Sequence, residues 1–177
     1  MTSRMYLIGF MAAGKTTLGT LLSRRTGLPF VDTDTLIEQA TGSSIADLFR
    51  SRGETHFREL EQQALRASAF LDTAIIATGG GLPAYDQNMV WMNAHGTTVY
   101  LQTDPQQLLD RLLQDHRDRP LLKGRSADEI GMFIDEKMAE RSVYYHDAAH
   151  FIPSKDRSQA LDALYALVRA LNFPMLP

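Results

Sequence analysis

Lys15 and Thr16 close the run Gly9-Phe10-Met11-Ala12-Ala13-Gly14-Lys15-Thr16, which satisfies G-x-x-x-x-G-K-[ST] at every fixed position. Glycines let such a loop curl so that successive backbone N–H groups point inward at phosphate oxygens. A helix starting at the loop adds its positive end to the same anion. The Lys15 ammonium is expected to reach the β- and γ-phosphates, and the Thr16 hydroxyl to hold Mg²⁺. The context fits, since Met5 to Gly9 reads as a strand and Leu18, Leu21 and Leu22 as a helix stripe. A nucleoside triphosphate is the expected ligand. A plain glycine turn beside a surface lysine leaves the complete motif unexplained.

Other chemistry-bearing residues follow in order. Asp32 and Asp34 end the second apolar run, Phe30-Val31-Asp32-Thr33-Asp34, two residues apart and therefore on one side of an extended chain. One carboxylate can order Mg²⁺ and its waters while the other meets an acceptor hydroxyl; helix capping is the alternative use of the same residues. Arg58 and Glu61 are three apart on a helix, suited to holding a guanidinium ready for an anionic substrate, or else an ordinary surface ion pair. Gly79-Gly80-Gly81 directly follows the third apolar run. Three glycines cost conformational entropy, which points to close approach of backbone N–H groups to a ligand. Arg117 and Arg119 lie in the least patterned stretch, Gln114 to Arg125, where a closing lid could deliver an arginine to a transferring phosphoryl group. Arg141 stands near the end of a long helix, before Ser142-Val143-Tyr144-Tyr145.

These residues need a frame to bring them together. Met5 to Gly9, Pro29 to Asp32, Ala74 to Thr78, Thr97 to Gln102 and Phe151-Ile152 read as strands, mostly without polar alternation. That pattern fits parallel strands covered on both faces. Between them, Asp104-Pro105 opens one helix, and Ser126 with Glu129 forms a capping box for another reaching about Tyr144. Phe57, Leu60, Ala64, Ala67 and Leu71 make one apolar stripe, and Leu161, Leu164, Val168 and Leu171 a second. Strands alternating with helices imply an α/β fold with one parallel sheet.

The 177 residues suit a single domain. A net charge of −3 speaks against a nucleic-acid binder, and the lack of cysteine removes thiolate metal sites and Cys nucleophiles. No apolar run is long enough for a membrane span or a signal-peptide core, so a cytoplasmic location is expected.

Taken together the motifs resemble the shikimate kinase family. The match runs through the Gly-Lys-Thr-Thr end of the loop, Val31-Asp32-Thr33-Asp34, Gly53-Glu54 with Phe57-Arg58 and Glu61, Ala77-Thr78-Gly79-Gly80-Gly81, Arg119-Pro120-Leu121 and Glu140-Arg141 with Tyr144. The resemblance implies a P-loop NTPase fold, a five-stranded parallel sheet of order 2-3-1-4-5, a substrate-binding region over about 33–61 and a lid over about 114–125. It implies Mg²⁺- and ATP-dependent phosphorylation of the 3-hydroxyl of shikimate by a monomer, within aromatic amino-acid biosynthesis.

By the same resemblance, Gly9, Met11, Ala12, Ala13, Gly14, Lys15, Thr16 and Thr17 cradle the nucleotide, and Thr16 and Asp32 serve the metal. Lys15, Asp34 and Arg119 carry the catalytic roles. Asp34, Arg58, Gly79, Gly80, Gly81 and Arg141 bind the acceptor, with Glu61 orienting Arg58. The adenine contact is assigned to Arg111, with Arg117 the alternative, beside Arg119. One departure is Ala12, where the family commonly has glycine; alanine disfavours positive φ, so an altered turn is expected.

A related small-metabolite kinase, such as a gluconate kinase, is the nearest alternative. A GTP-dependent switch is another, although no Asn-Lys-x-Asp guanine-reading segment occurs. His146 and His150, Trp91 and the eight methionines read as packing or surface residues.

Overall fold

A computed structural model of the chain describes residues 3–115 and 119–175. Five parallel strands run β1 (Ser3–Ile8), β2 (Phe30–Asp32), β3 (Thr73–Ala77), β4 (Thr97–Gln102) and β5 (His150–Pro153). They form one sheet of order β2-β3-β1-β4-β5, as expected. Among the described residues, seven α-helices connect and cover them: α1 (Lys15–Thr26), α2 (Thr33–Thr41), α3 (Ile45–Ala67), α4 (Asn88–His95), α5 (Pro105–Gln114), α6 (Ala127–Tyr145) and α7 (Arg157–Ala170).

The side-chain alternation of the strands feeds two hydrophobic layers. Met5 and Leu7 of β1 face a core built with Leu22 of α1, Leu108 of α5, Phe133 of α6 and Leu164 of α7. Tyr6 and Ile8 face the opposite layer, with Leu65 of α3, Met92 of α4 and Tyr145 of α6. Helix α6 therefore reaches both layers across one end of the sheet. A third cluster, Ile37, Leu48, Phe57 and Ala64, joins α2 to α3 alone. That pair forms one wall of the cavity described below.

Local signals act where the sequence places them. Asp104 caps α5 by accepting from the Gln106 N–H at 2.8 Å. Ser126 and Glu129 form the full capping box at the start of α6. Two apolar stripes needed correction. On α3 the buried residues are Leu48, Phe57, Glu61, Ala64 and Leu65, whereas Ala67 is exposed and Leu71 lies beyond the helix end. A buried charged residue had hidden the true inward face. On α7 the buried residues are Ala160, Leu164 and Val168, while Leu161 is half-buried and Leu171 follows the last turn. Within helix α3, Gly53 leaves helical geometry with φ 79° and ψ 174° and kinks it.

Among the described residues, no helix is long and apolar enough to cross a membrane.

Candidate active site

The carboxyl ends of β1, β2 and β3 deliver three segments to one place: the loop after Ile8, Asp32 with the start of α2, and the turn Thr78 to Gly81. Ligands of open α/β sheets bind at this edge. The loop from Gly9 to Gly14 turns through positive φ at Gly9 (141°), Ala12 (63°) and Gly14 (97°). Alanine thus occupies the left-handed region itself, so the loop absorbs the missing glycine in place. The Arg111 guanidinium steadies it by donating to the Ala12 carbonyl at 3.1 Å and to the Ser154 carbonyl at 2.8 Å.

Lys15, although charged, is buried beneath this loop. Its ammonium donates to the carbonyls of Gly9 at 2.7 Å and Phe10 at 2.8 Å, leaving one of its three protons for a phosphate oxygen. Burial lowers its pKa to about 8, against the pull of Asp34 and Asp32. It is therefore still mostly protonated at neutral pH.

Asp32 and Asp34 do not share an extended strand. Asp32 ends β2 and is the N-cap of α2, and its Oδ1 accepts from the Asp34 N–H at 3.0 Å. Capping and ligand chemistry are combined here, because the other oxygen of Asp32 accepts from the Thr16 hydroxyl at 2.7 Å. Asp34 sits in the first turn, half-buried, and among the described residues its Oδ1 has no hydrogen-bond partner. Burial, and secondarily the neighbouring Asp32 carboxylate, push its pKa up to about 6.

The Arg58–Glu61 pair is no surface contact. The Glu61 side chain is only 2% exposed, and its carboxylate accepts from Nη1 of Arg58 while Nη2 donates to Glu54 at 2.7 Å. Burial raises the Glu61 carboxyl above the ordinary range; Arg58 opposes that shift, and Asp34 adds to it.

The three glycines prove to be a matter of space. None of Gly79, Gly80 and Gly81 has a positive φ. A Cβ on Gly79 would collide with the Glu61 carboxylate, one on Gly81 would lie 2.6 Å from Nη1 of Arg58, and one on Gly80 would lie 3.1 Å from the Met11 nitrogen. The turn is held against charged side chains and the phosphate loop. Its first amide is already used, since the Gly79 N–H donates to the Thr33 hydroxyl at 3.1 Å. Backbone donation to a ligand is left to Gly80 and Gly81.

Two cavities occupy the edge. One, of about 570 Å³, is lined by the phosphate loop with Thr17, Arg111, Ser154 and Arg157. The other, of about 630 Å³, lies against α2 and α3 and is lined by Phe49, Phe57, Arg58, Glu61, Gly81 and Arg141. Thr16, Asp32, Asp34, Gly79, Gly80 and Arg119 border both. Arg119 is held by Asp115 at 2.6 Å, and among the described residues its buried Nε has no hydrogen-bond partner. Arg141 is 7% exposed, its guanidinium 5.6 Å from the centre of the Phe10 ring. Arg117 lies outside the described residues.

Two contributors escaped the sequence reading. Thr33 sits inside a quoted motif, but its inward hydroxyl had no sequence signal. Tyr145, not Tyr144, is the buried tyrosine behind Arg141: Tyr144 is 37% exposed and Tyr145 fully buried.

The shikimate kinase family model matches residues 11–172. A shikimate kinase of Bacteroides fragilis is 40% identical over 172 residues, spanning 96% of each chain. The crystal structure of a shikimate kinase from Bacteroides thetaiotaomicron superposes with a TM-score of 0.88 at 37% identity, covering 97% of this chain and 99% of that one. A shikimate kinase from Acinetobacter baumannii in complex with shikimate gives a TM-score of 0.83 at 30% identity, covering 96% and 95%. Near-complete coverage in both directions, on top of two cavities that meet at Thr16, Asp32, Asp34 and Arg119, places this chain in the shikimate kinase family.

Proposed function

We propose that the protein transfers the γ-phosphate of ATP to the 3-hydroxyl of shikimate, giving shikimate 3-phosphate and ADP. The observation that carries this is the shared border of the two cavities, where the phosphate loop faces an arginine-lined pocket across Asp34 and Arg119. Phosphoryl transfer asks a protein for positioning and charge neutralisation rather than covalent chemistry.

Each residue has a role in that scheme. The first cavity takes the nucleotide, with the loop amides from Gly9 to Thr17 and the Lys15 ammonium on the phosphates and Arg111 toward the adenine. The second takes the acceptor. Arg58 is pre-oriented by Glu54 and Glu61, and Arg58 and Arg141 suit the acceptor's carboxylate. Asp34, which borders both cavities, is the carboxylate that meets the reacting hydroxyl, aligning it and accepting its proton. Arg119 borders both compartments and is placed to neutralise charge on the group in transit.

The Thr16 hydroxyl and Asp32 carboxylate, 2.7 Å apart, are hard oxygen donors that fit Mg²⁺. No cluster of three or more His, Cys, Asp or Glu ligands occurs among the described residues. That sparse set agrees with an ion that keeps several waters and binds mainly through substrate phosphates. When bound, Mg²⁺ would neutralise charge on the β- and γ-phosphates.

The test is a coupled ADP-release assay with shikimate and gluconate offered separately under Mg²⁺ and ATP. ADP release that depends on shikimate and not on gluconate is expected. Dependence on gluconate instead, or release indifferent to either acid, would overturn the acceptor assignment.

A further inference from the structure

Tyr145 ends α6 and is fully buried, stacked on Tyr100 of β4 with ring centres 5.0 Å apart and planes 26° from parallel. It lines neither of the two cavities. Its hydroxyl donates to the Gly80 carbonyl at 2.6 Å. The positive charge of Arg141, one helical turn earlier, acts on the same hydroxyl. The hydrogen bond the phenol makes is the one it donates to the glycine turn.

Around that carbonyl the turn is held by its neighbours: Thr33 takes the Gly79 N–H, the Leu82 N–H donates to the Gly79 carbonyl and the Ala84 N–H to the Gly81 carbonyl, each at 3.2 Å, and Gly80 rests against the backbone of Met11. The Tyr145 hydroxyl adds a hold on the carbonyl of the middle glycine, limiting the conformational freedom that glycine otherwise has. Gly80 and Gly81 line the acceptor cavity, beside the Arg58 guanidinium that packs on Gly81.

We propose that Tyr145 is a positioning residue for the acceptor half of the reaction, its hydroxyl holding the Gly80 carbonyl, and with it the glycine turn, in place. The inference rests on the acceptor assignment above. A phenylalanine at this position would keep the ring volume and the Tyr100 stack but would release the Gly80 carbonyl. Burial pushes the Tyr145 hydroxyl up to about 12, so it remains a donor across the working pH range.

The experiment compares Tyr145→Phe with Tyr6→Phe. Tyr6 is a second fully buried tyrosine, whose hydroxyl pairs with Ser68 at 3.3 Å and which lines neither cavity. Each variant is measured for kcat/KM toward shikimate, for the dissociation constant of ADP and for thermal stability. Tyr145→Phe is expected to lower kcat/KM for shikimate by roughly 3- to 10-fold, the scale of one lost neutral hydrogen bond. ADP affinity should stay within about twofold, and Tyr6→Phe should lower the melting temperature with no kinetic change.

An unchanged kcat/KM in Tyr145→Phe, or an equal loss of ADP affinity, overturns the positioning role. If Tyr145→Phe does not fold, Tyr100→Leu serves in its place: it loosens the ring while keeping the hydroxyl, and an unaltered shikimate KM again overturns the proposal. A wild-type protein inactive on shikimate would instead refute the acceptor assignment itself, so the two failures are distinguishable.

Discussion

Asp34→Asn should make the protein more stable and nearly inactive, and the size of the first effect follows from the site. Burial and Asp32 raise the Asp34 pKa from 3.8 to about 6. Two units of differential protonation correspond to about 3 kcal/mol. The carboxylate is only half-buried and partly screened, so about 1 to 2 kcal/mol is the expected cost of its charge. Because the folded-state pKa is the higher one, folding favours the protonated form. Below about pH 4 both states carry the proton and no penalty exists. Between about pH 4 and 6 the penalty grows, and above pH 6 it is complete.

Asparagine removes that penalty. At pH 8 the variant should melt about 2 to 8 °C above wild type, using about 2 to 4 °C per kcal/mol for a chain of this size. The difference should vanish toward pH 4. Thermal melts followed by circular dichroism at pH 8, 6 and 4.5 read this directly, with loss of phosphoryl transfer by about 10² to 10⁴ in the coupled assay. A variant that melts lower at pH 8, or by the same margin at all three values, would refute the electrostatic reasoning. Retained turnover would remove Asp34 from its role.

Arg58→Ala should raise the KM for shikimate by about 10²-fold, since it deletes a pre-oriented charged partner, while ADP affinity measured by calorimetry stays within about twofold. Ala12→Gly should stabilise the chain by up to about 1 kcal/mol, because the left-handed φ of 63° penalises alanine more than glycine's entropy does; a lower melting temperature would show that the loop is not strained there. Gly79→Ala should lower both shikimate affinity and stability, as its methyl would enter the space of the Glu61 carboxylate; wild-type kinetics would mean the turn can give way.

How much of this was legible in the sequence depended on how local the cause was. The phosphate loop, the α6 capping box and the strand runs are set by neighbouring residues, so they could be read directly. The Arg58–Glu61 spacing was legible, but its burial was not, because a buried ion pair on α3 has the pattern of a surface pair. That burial also displaced the expected apolar stripe, which wrongly included Ala67. Asp32 and Asp34 were correctly brought together for an incorrect reason: a helix cap, not an extended strand, sets their geometry. Gly79 to Gly81 was read as bringing backbone N–H groups close to a ligand, and all three line the acceptor cavity; what the sequence did not show is that Glu61, Arg58 and the phosphate loop also leave no space for a side chain there. Tyr144 and Tyr145 differ by about 100° around a helix, and only the packing of α6 on Tyr100 decides which of them is buried.

The most direct measurement is ³¹P NMR of the purified protein with Mg²⁺, ATP and shikimate. A phosphomonoester resonance growing in equal amount with ADP is predicted, with no inorganic phosphate beyond the background seen without acceptor. ADP accompanied only by inorganic phosphate, or ATP left unconsumed, would contradict a site in which nucleotide and acceptor meet across Asp34 and Arg119.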